Sequence, residues 1–92
     1  MYYVYVLQSG NDHGLYIGYT SDLRRRRNEH EQGLSKSTKG RRPLDLIYYE
    51  AYLDQSDALG RERFLKSGAG RMFLKKQLKH HFETFPVPPR DA

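Results

Sequence analysis

Five side chains in this 92-residue sequence are of the types needed to hydrolyse a phosphodiester: Tyr5, Tyr16, Arg26, His30 and Glu62. The reaction needs a nucleophilic water, a base for its proton, positive charge on the crowded phosphorane oxygens and usually a divalent cation at the leaving oxygen. Arg26 can neutralise the phosphate with paired hydrogen bonds. The Tyr5 phenol has an unperturbed pKa of about 10, which nearby cations would lower, so it is a candidate base. His30, closer to neutrality, is the alternative. Glu62 offers oxygen ligands to a hard ion such as magnesium, with water and substrate phosphate completing the shell.

These residues must be brought together by the elements that carry them. Tyr2 to Leu7 is aromatic and β-branched and reads as a strand. Gln8 to Gly14 has turn chemistry, and Leu15 to Tyr19 returns as the second strand of a hairpin. Any register setting Tyr5 opposite Tyr16 or Gly18 puts both tyrosines on one face. Thr20 or Ser21 caps the next helix, with Asp22 in its first turn and Gly33 at its end. Helical spacing places Leu23, Arg26 or Arg27, His30 and Leu34 on one side, so the side drawn toward the sheet takes polar groups with it.

Leu44 to Leu53 carries apolar residues on both alternating sets and is expected as the middle strand of a three-stranded sheet. The helix predicted from Ser56 to Ser67 turns Ala58, Arg61 or Glu62, and Leu65 inward. A carboxylate at such a position calls for a metal or a cation; an ion pair with an arginine is the plainer alternative. Gly68-Ala69-Gly70 then breaks the chain before a helix from Arg71 to about Phe82, with Lys75, Lys76 and Lys79 opposite its apolar stripe. The expected fold is α+β, a three-stranded antiparallel sheet flanked by helices in the order ββαβαα. One domain should span residues 1–83, followed by a flexible, proline-rich tail over 84–92.

A net charge of +5 and a pI near 9.6 favour a polyanionic partner, nucleic acid ahead of an anionic membrane surface. Arg24, Arg25 and Arg27 on the first helix, and Lys36, Lys39, Arg41 and Arg42 in the loop from Ser35 to Pro43, are the candidate phosphate contacts. That loop has no periodicity and is expected to be mobile on the surface, either along phosphates or as a solvated linker. There is no cysteine, which excludes disulfides and thiolate chemistry and limits any zinc site to histidine and carboxylate ligands. No long apolar run suggests a membrane span, and a cytoplasmic location is the default expectation.

Tyr3-Val4-Tyr5, Tyr16-Ile17-Gly18 and Thr20-Ser21-Asp22-Leu23-Arg24-Arg25-Arg26 with His30 and Gly33, followed by Ala58-Leu59-Gly60-Arg61-Glu62, resemble the GIY-YIG nuclease family from Tyr2 to about Phe82. The resemblance is to its small standalone bacterial endonucleases. It implies a metal-dependent endonuclease acting on DNA, with RNA not excluded. Tyr5 would be the base, Tyr16 its hydrogen-bonding companion, Arg26 the phosphate ligand, His30 an assistant and Glu62 the ligand of magnesium or manganese. Three departures are visible: Tyr3 replaces the first glycine of the name motif, Tyr19 stands where many members have lysine, and no asparagine follows Glu62. The alternative is a nucleic-acid-binding module of the same fold with weak or lost catalysis. With no second domain expected, selectivity would come from DNA structure, as in repair or recombination, or from a partner protein. A monomer or a weak homodimer through a tyrosine-rich edge strand is expected.

Overall fold

The computed structural model describes residues 1–89. Strand β1 (Tyr2–Ser9) and strand β2 (Leu15–Thr20) form an antiparallel hairpin in which Tyr5 faces Gly18 and Leu7 faces Tyr16. Its turn is locked locally. Ser9 Oγ accepts from the Asn11 and Asp12 amides, the Asp12 carboxylate accepts from the Gly14 amide, and His13 takes the left-handed conformation at φ 62°.

Strand β3 (Leu44–Tyr52) pairs antiparallel with the other side of β1, so the sheet order is β2-β1-β3. The expected middle position of β3 is therefore corrected: β1 is central. Its residues Val4 to Ser9 are all buried, whereas β3 is an edge strand that keeps Tyr49 half exposed. The apolar residues on both alternating sets of β3 reflect helices on both faces, which an edge strand can have as readily as a central one. An irregularity of register after Val6 gives β3 one extra residue and lets Ile47 and Tyr48 both turn to the same side.

Helix α1 (Leu23–Glu31) covers one face of the sheet, over Tyr5, Leu7, Tyr16, Leu44 and Leu46. Helices α2 (Gln55–Lys66) and α3 (Gly68–Gln77) cover the other, where Ala58, Leu65 and Leu74 pack on Val4, Val6, Leu15 and Ile17. The sheet is thus the middle layer of three. The helix expected from Arg71 to Phe82 is two: α3 begins at Gly68, capped by Ser67 Oγ on the Gly70 amide, and ends at Leu78, after which α4 (Lys79–Thr84) starts afresh. The glycines do not break a helix here. Gly70 is needed for contact, because a Cβ there would run into the backbone of Phe64 and Leu65.

Asp22, not Thr20 or Ser21, caps α1, accepting from the Arg25 amide; Thr20 Oγ1 in turn accepts from the Asp22 amide. Gly33 follows the helix at φ +75° as expected, but Leu34 beyond it points to solvent. Of the segment expected as a tail, Thr84 closes α4, the Phe85 carbonyl accepts from Gln8 Nε2 and Val87 packs against the core. Residues 90–92 of it lie outside the described residues. Among the described residues no helix is long and apolar enough to cross a membrane.

Candidate active site

The site is assembled on the α1 face of the sheet. The antiparallel register puts Tyr5 opposite Gly18, and a Cβ at position 18 would collide with the Tyr5 hydroxyl and its ring carbon. Glycine therefore lets the phenol lie across β2 toward Tyr16, whose ring is 6.3 Å away, centroid to centroid. Above them, α1 lowers His30 into the space between. Its ring centroid is 5.0 Å from Tyr16 and 5.8 Å from Tyr5, and the residue is fully buried.

Two hydrogen bonds fix the imidazole: His30 Nε2 lies 3.0 Å from the Tyr5 hydroxyl, and Nδ1 lies 2.6 Å from Thr38 Oγ1. The chain Tyr5-His30-Thr38 has a direction. Arg26 beside Tyr5 has only donors to offer, and on that ground we assign the phenol proton to Nε2, which leaves Nδ1 to carry the ring hydrogen to Thr38. That requires a neutral imidazole. Burial, and then the Arg26 cation, hold the His30 pKa below its ordinary value, in agreement with a neutral ring.

Burial likewise pushes the Tyr5 phenol up to about 12, against the opposing pull of Arg26. Against Arg26 alone desolvation prevails and Tyr5 rests as a phenol; the expected lowering called for a metal ion as well as arginine. Arg26 itself is held as a cation by Tyr5 first and by Glu29 second, with Nη1 donating to Glu29 Oε1 at 3.0 Å. Of the two arginines that helical spacing allowed, Arg26 is the one at the tyrosines, and Arg27 lies on the other flank of α1.

Glu62 approaches from the opposite layer. It stands on α2, pairs with Lys66 Nζ at 3.0 Å and keeps about a fifth of its side chain exposed. Its charge is near enough to act on Tyr5, although no hydrogen bond joins them. The structure thus brings Tyr5, Tyr16, Arg26 and His30 into one cluster with Glu62 at its margin. Among the described residues no three carboxylates or histidines converge to cage a metal. A single carboxylate fits an ion that keeps most of its waters and shares substrate phosphate, as magnesium does, better than one that demands a full protein shell.

The basic candidates divide. Arg24 and Arg27 line an open groove beside α1, and Lys36 and Lys39 are exposed. Arg25 is exposed and reaches Glu29 at 3.8 Å. Arg41 pairs with Asp12 at 3.5 Å, and Arg42 donates to the carbonyls of Lys39 and Glu31, so both tie the loop down. The loop expected to be mobile instead contains a 3-10 turn, Lys39–Arg41, and buries Ser35 and Thr38. Thr38 is the site residue that periodicity could not find. Its only sequence signal is a hydroxyl eight residues after His30, in a segment without period.

A model of the GIY-YIG catalytic domain matches residues 1–82. The chain belongs to the GIY-YIG family. This is a nuclease-type family, and its fold implies a nucleic-acid substrate. Among the GIY-YIG chain's relatives, a UPF0213 protein of Haloquadratum walsbyi is 43% identical over 67 residues, covering 72% of this chain and 74% of that one. A UPF0213 protein of Staphylococcus epidermidis is 40% identical over 75 residues, covering 80% and 90%. The solution NMR structure of a UPF0213 protein from Bacillus halodurans is 29% identical, covering 99% of this chain and 92% of that one, with a TM-score of 0.45.

Proposed function

We propose that this GIY-YIG chain is an endonuclease that hydrolyses phosphodiester bonds in DNA with the help of magnesium or manganese. The observation that carries the reading is the hydrogen-bonded chain from Tyr5 through His30 to Thr38, set beside the Arg26 cation. A phenol with a pKa of about 12 is a poor base by itself. Hydrogen-bonded to a neutral imidazole, it can accept the proton of an attacking water at its oxygen while its own proton passes to His30 Nε2. No free phenolate is then needed, and the burial that raises the phenol's pKa also keeps the imidazole neutral and ready.

Arg26 would bind the scissile phosphate, leaving or sharing Glu29 to do so, and Tyr16 would orient the water or phosphate from the second strand. Glu62 would hold the divalent ion, which when bound supplies charge to the leaving oxygen. Lys66, now on Glu62, would move aside as the ion arrives.

The test is cleavage of linear, flapped, branched and single-stranded DNA with magnesium, manganese or chelator, comparing wild type with Glu62→Ala and Tyr5→Phe. Metal-dependent product should fall about 10²- to 10⁴-fold in Tyr5→Phe, the usual worth of a positioned base, and vanish in Glu62→Ala. Binding that survives and weakens steeply with salt, with no product on any substrate, would replace the nuclease with a binding module of the same fold.

A further inference from the structure

On the flank of α1 away from Arg26, an open groove of about 450 Å³ runs between the helix and the β3 edge of the sheet. Its floor is aromatic. Tyr3 and Tyr49 meet there edge to face, with centroids 6.1 Å apart and planes at 62°, and Leu46 continues the floor. Its wall is cationic and polar, built by Arg24, Arg27 and Asn28. The one acidic group on the rim, Asp22, is engaged in capping α1 through the Arg25 amide.

Packing alone does not account for this composition. Tyr49 is directly opposite Tyr5 in the sheet yet 53% exposed, whereas its counterparts Tyr48 and Tyr52 on the other face are partly buried and spend their hydroxyls on Glu50. Arg24 and Arg27 have no ion-pair partner among the described residues, whereas their neighbours on α1, Arg25 and Arg26, both pair with Glu29. An exposed aromatic face beside two unneutralised guanidiniums suits a group with a flat π surface and a negative charge. A nucleotide has both.

We infer that this groove is a subsite for one unpaired nucleotide of the DNA strand, its base against Tyr49 and its phosphate against Arg24 and Arg27. A base inside a duplex is covered on both faces by its neighbours and cannot lie on the tyrosine; a base in a single strand or flap can. Asn28 presents both a donor and an acceptor to the base edge. The body of α1, about 10 Å across, separates the groove from Arg26. The groove would therefore read a nucleotide displaced from the bond to be cut, and it would make the site prefer DNA with an unpaired flank.

This inference rests on the nuclease reading for its substrate, so its test is a binding measurement in chelator, independent of cleavage. Duplexes with and without an unpaired flank, carrying 2-aminopurine at the flank position, are titrated with wild type, Tyr49→Ala, Tyr49→Phe and Arg27→Ala. For the flanked DNA, Tyr49→Ala should weaken binding about tenfold or more and remove the quenching of 2-aminopurine, while Tyr49→Phe preserves both. Fully paired DNA should bind the Tyr49 variants as it binds wild type. Arg27→Ala should weaken both DNAs and lower the salt slope by about 1. Equal affinity of wild type and Tyr49→Ala for the flanked DNA would overturn the subsite and leave the nuclease reading standing. If wild type binds neither DNA even at low salt, both fall.

Discussion

His30 owes its state to its surroundings more than to its own chemistry. It is fully buried, it accepts a hydrogen bond from Tyr5 at Nε2 and donates one to Thr38 from Nδ1, and protonation of Nε2 would turn the first of these bonds around. The linkage follows in sign. In the unfolded chain His30 titrates near its ordinary value of about 6.5, whereas in the folded chain burial and Arg26 hold it lower. The contribution of the neutral ring is therefore fully present above about 6.5 and is lost as pH falls toward the folded value. Urea unfolding followed by circular dichroism should show stability falling from pH 7 to pH 5, and more steeply in wild type than in His30→Asn. Equal slopes in the two would mean that His30 is not held neutral. Thr38 shows why this arrangement was only half legible. Strand alternation gives Tyr5 and Tyr16, and helical spacing gives Arg26 and His30, but the partner of Nδ1 comes from a loop whose burial is decided by the histidine beneath it.

Helix α2 is positioned by a network that alternation and spacing also left unseen. Glu50 on β3 faces the α2 layer, where Arg61 donates to both its oxygens at 2.9 and 3.1 Å and the hydroxyls of Tyr48 and Tyr52 donate as well. Arg61 also stacks over the rings of Phe64 and Phe73, at 5.0 and 4.5 Å from their centroids. Burial raises the Glu50 pKa, but the hydrogen bonds from Arg61, Tyr48 and Tyr52 together bring it below the usual carboxylate value. The residue next to Arg61 is Glu62, so the ion pair that fixes α2 also sets where the proposed metal ligand stands. Helical spacing allows either Arg61 or Glu62 to face inward. Both do in part, Arg61 toward Glu50 and Glu62 toward the margin of the site. Which acid on a neighbouring strand would meet the arginine depends on strand order, and strand order is the part of the topology that local pattern does not carry. Glu50→Gln should lower unfolding stability by about 1.5–3 kcal/mol at pH 7, the usual worth of hydrogen bonds to a charged group. Because the folded pKa lies below the unfolded one, that difference should persist above about pH 4.3 and shrink as pH falls further. Chemical denaturation of wild type and Glu50→Gln at pH 7 and pH 3 checks both statements, and a gap that stays constant would show that the Glu50 charge is not what stabilises α2.

In the whole molecule, the sheet separates two kinds of positive charge. Arg24 and Arg27 on α1 and Lys36 and Lys39 in the following loop are exposed on the layer that holds Tyr5 and His30. Lys75, Lys76 and Lys79 belong to the layer behind it, on α3 and at the start of α4. The net charge of +5 does not distinguish these layers, but a bound strand would, because only phosphates near a cation release their counterions. Thr38 packs on His30, so the loop that carries Lys36 and Lys39 is anchored at the site and has little of the freedom a linker would have. A strand bound over Arg26, as proposed, would lie on the layer that carries these two lysines. Replacing Lys36 and Lys39 together by alanine should reduce the slope of log affinity against log salt by about 2, and replacing Lys75 and Lys76 should leave it unchanged. Arg41→Ala is the contrasting case: its partner is Asp12 in the hairpin turn, so it should lower the thermal midpoint with little effect on the slope. Fluorescence anisotropy with one labelled DNA at several salt concentrations decides between the layers. A larger loss of slope from the α3 pair than from the loop pair would put the DNA on the face of α2 and α3, away from Tyr5, and would separate binding from the site proposed to cut.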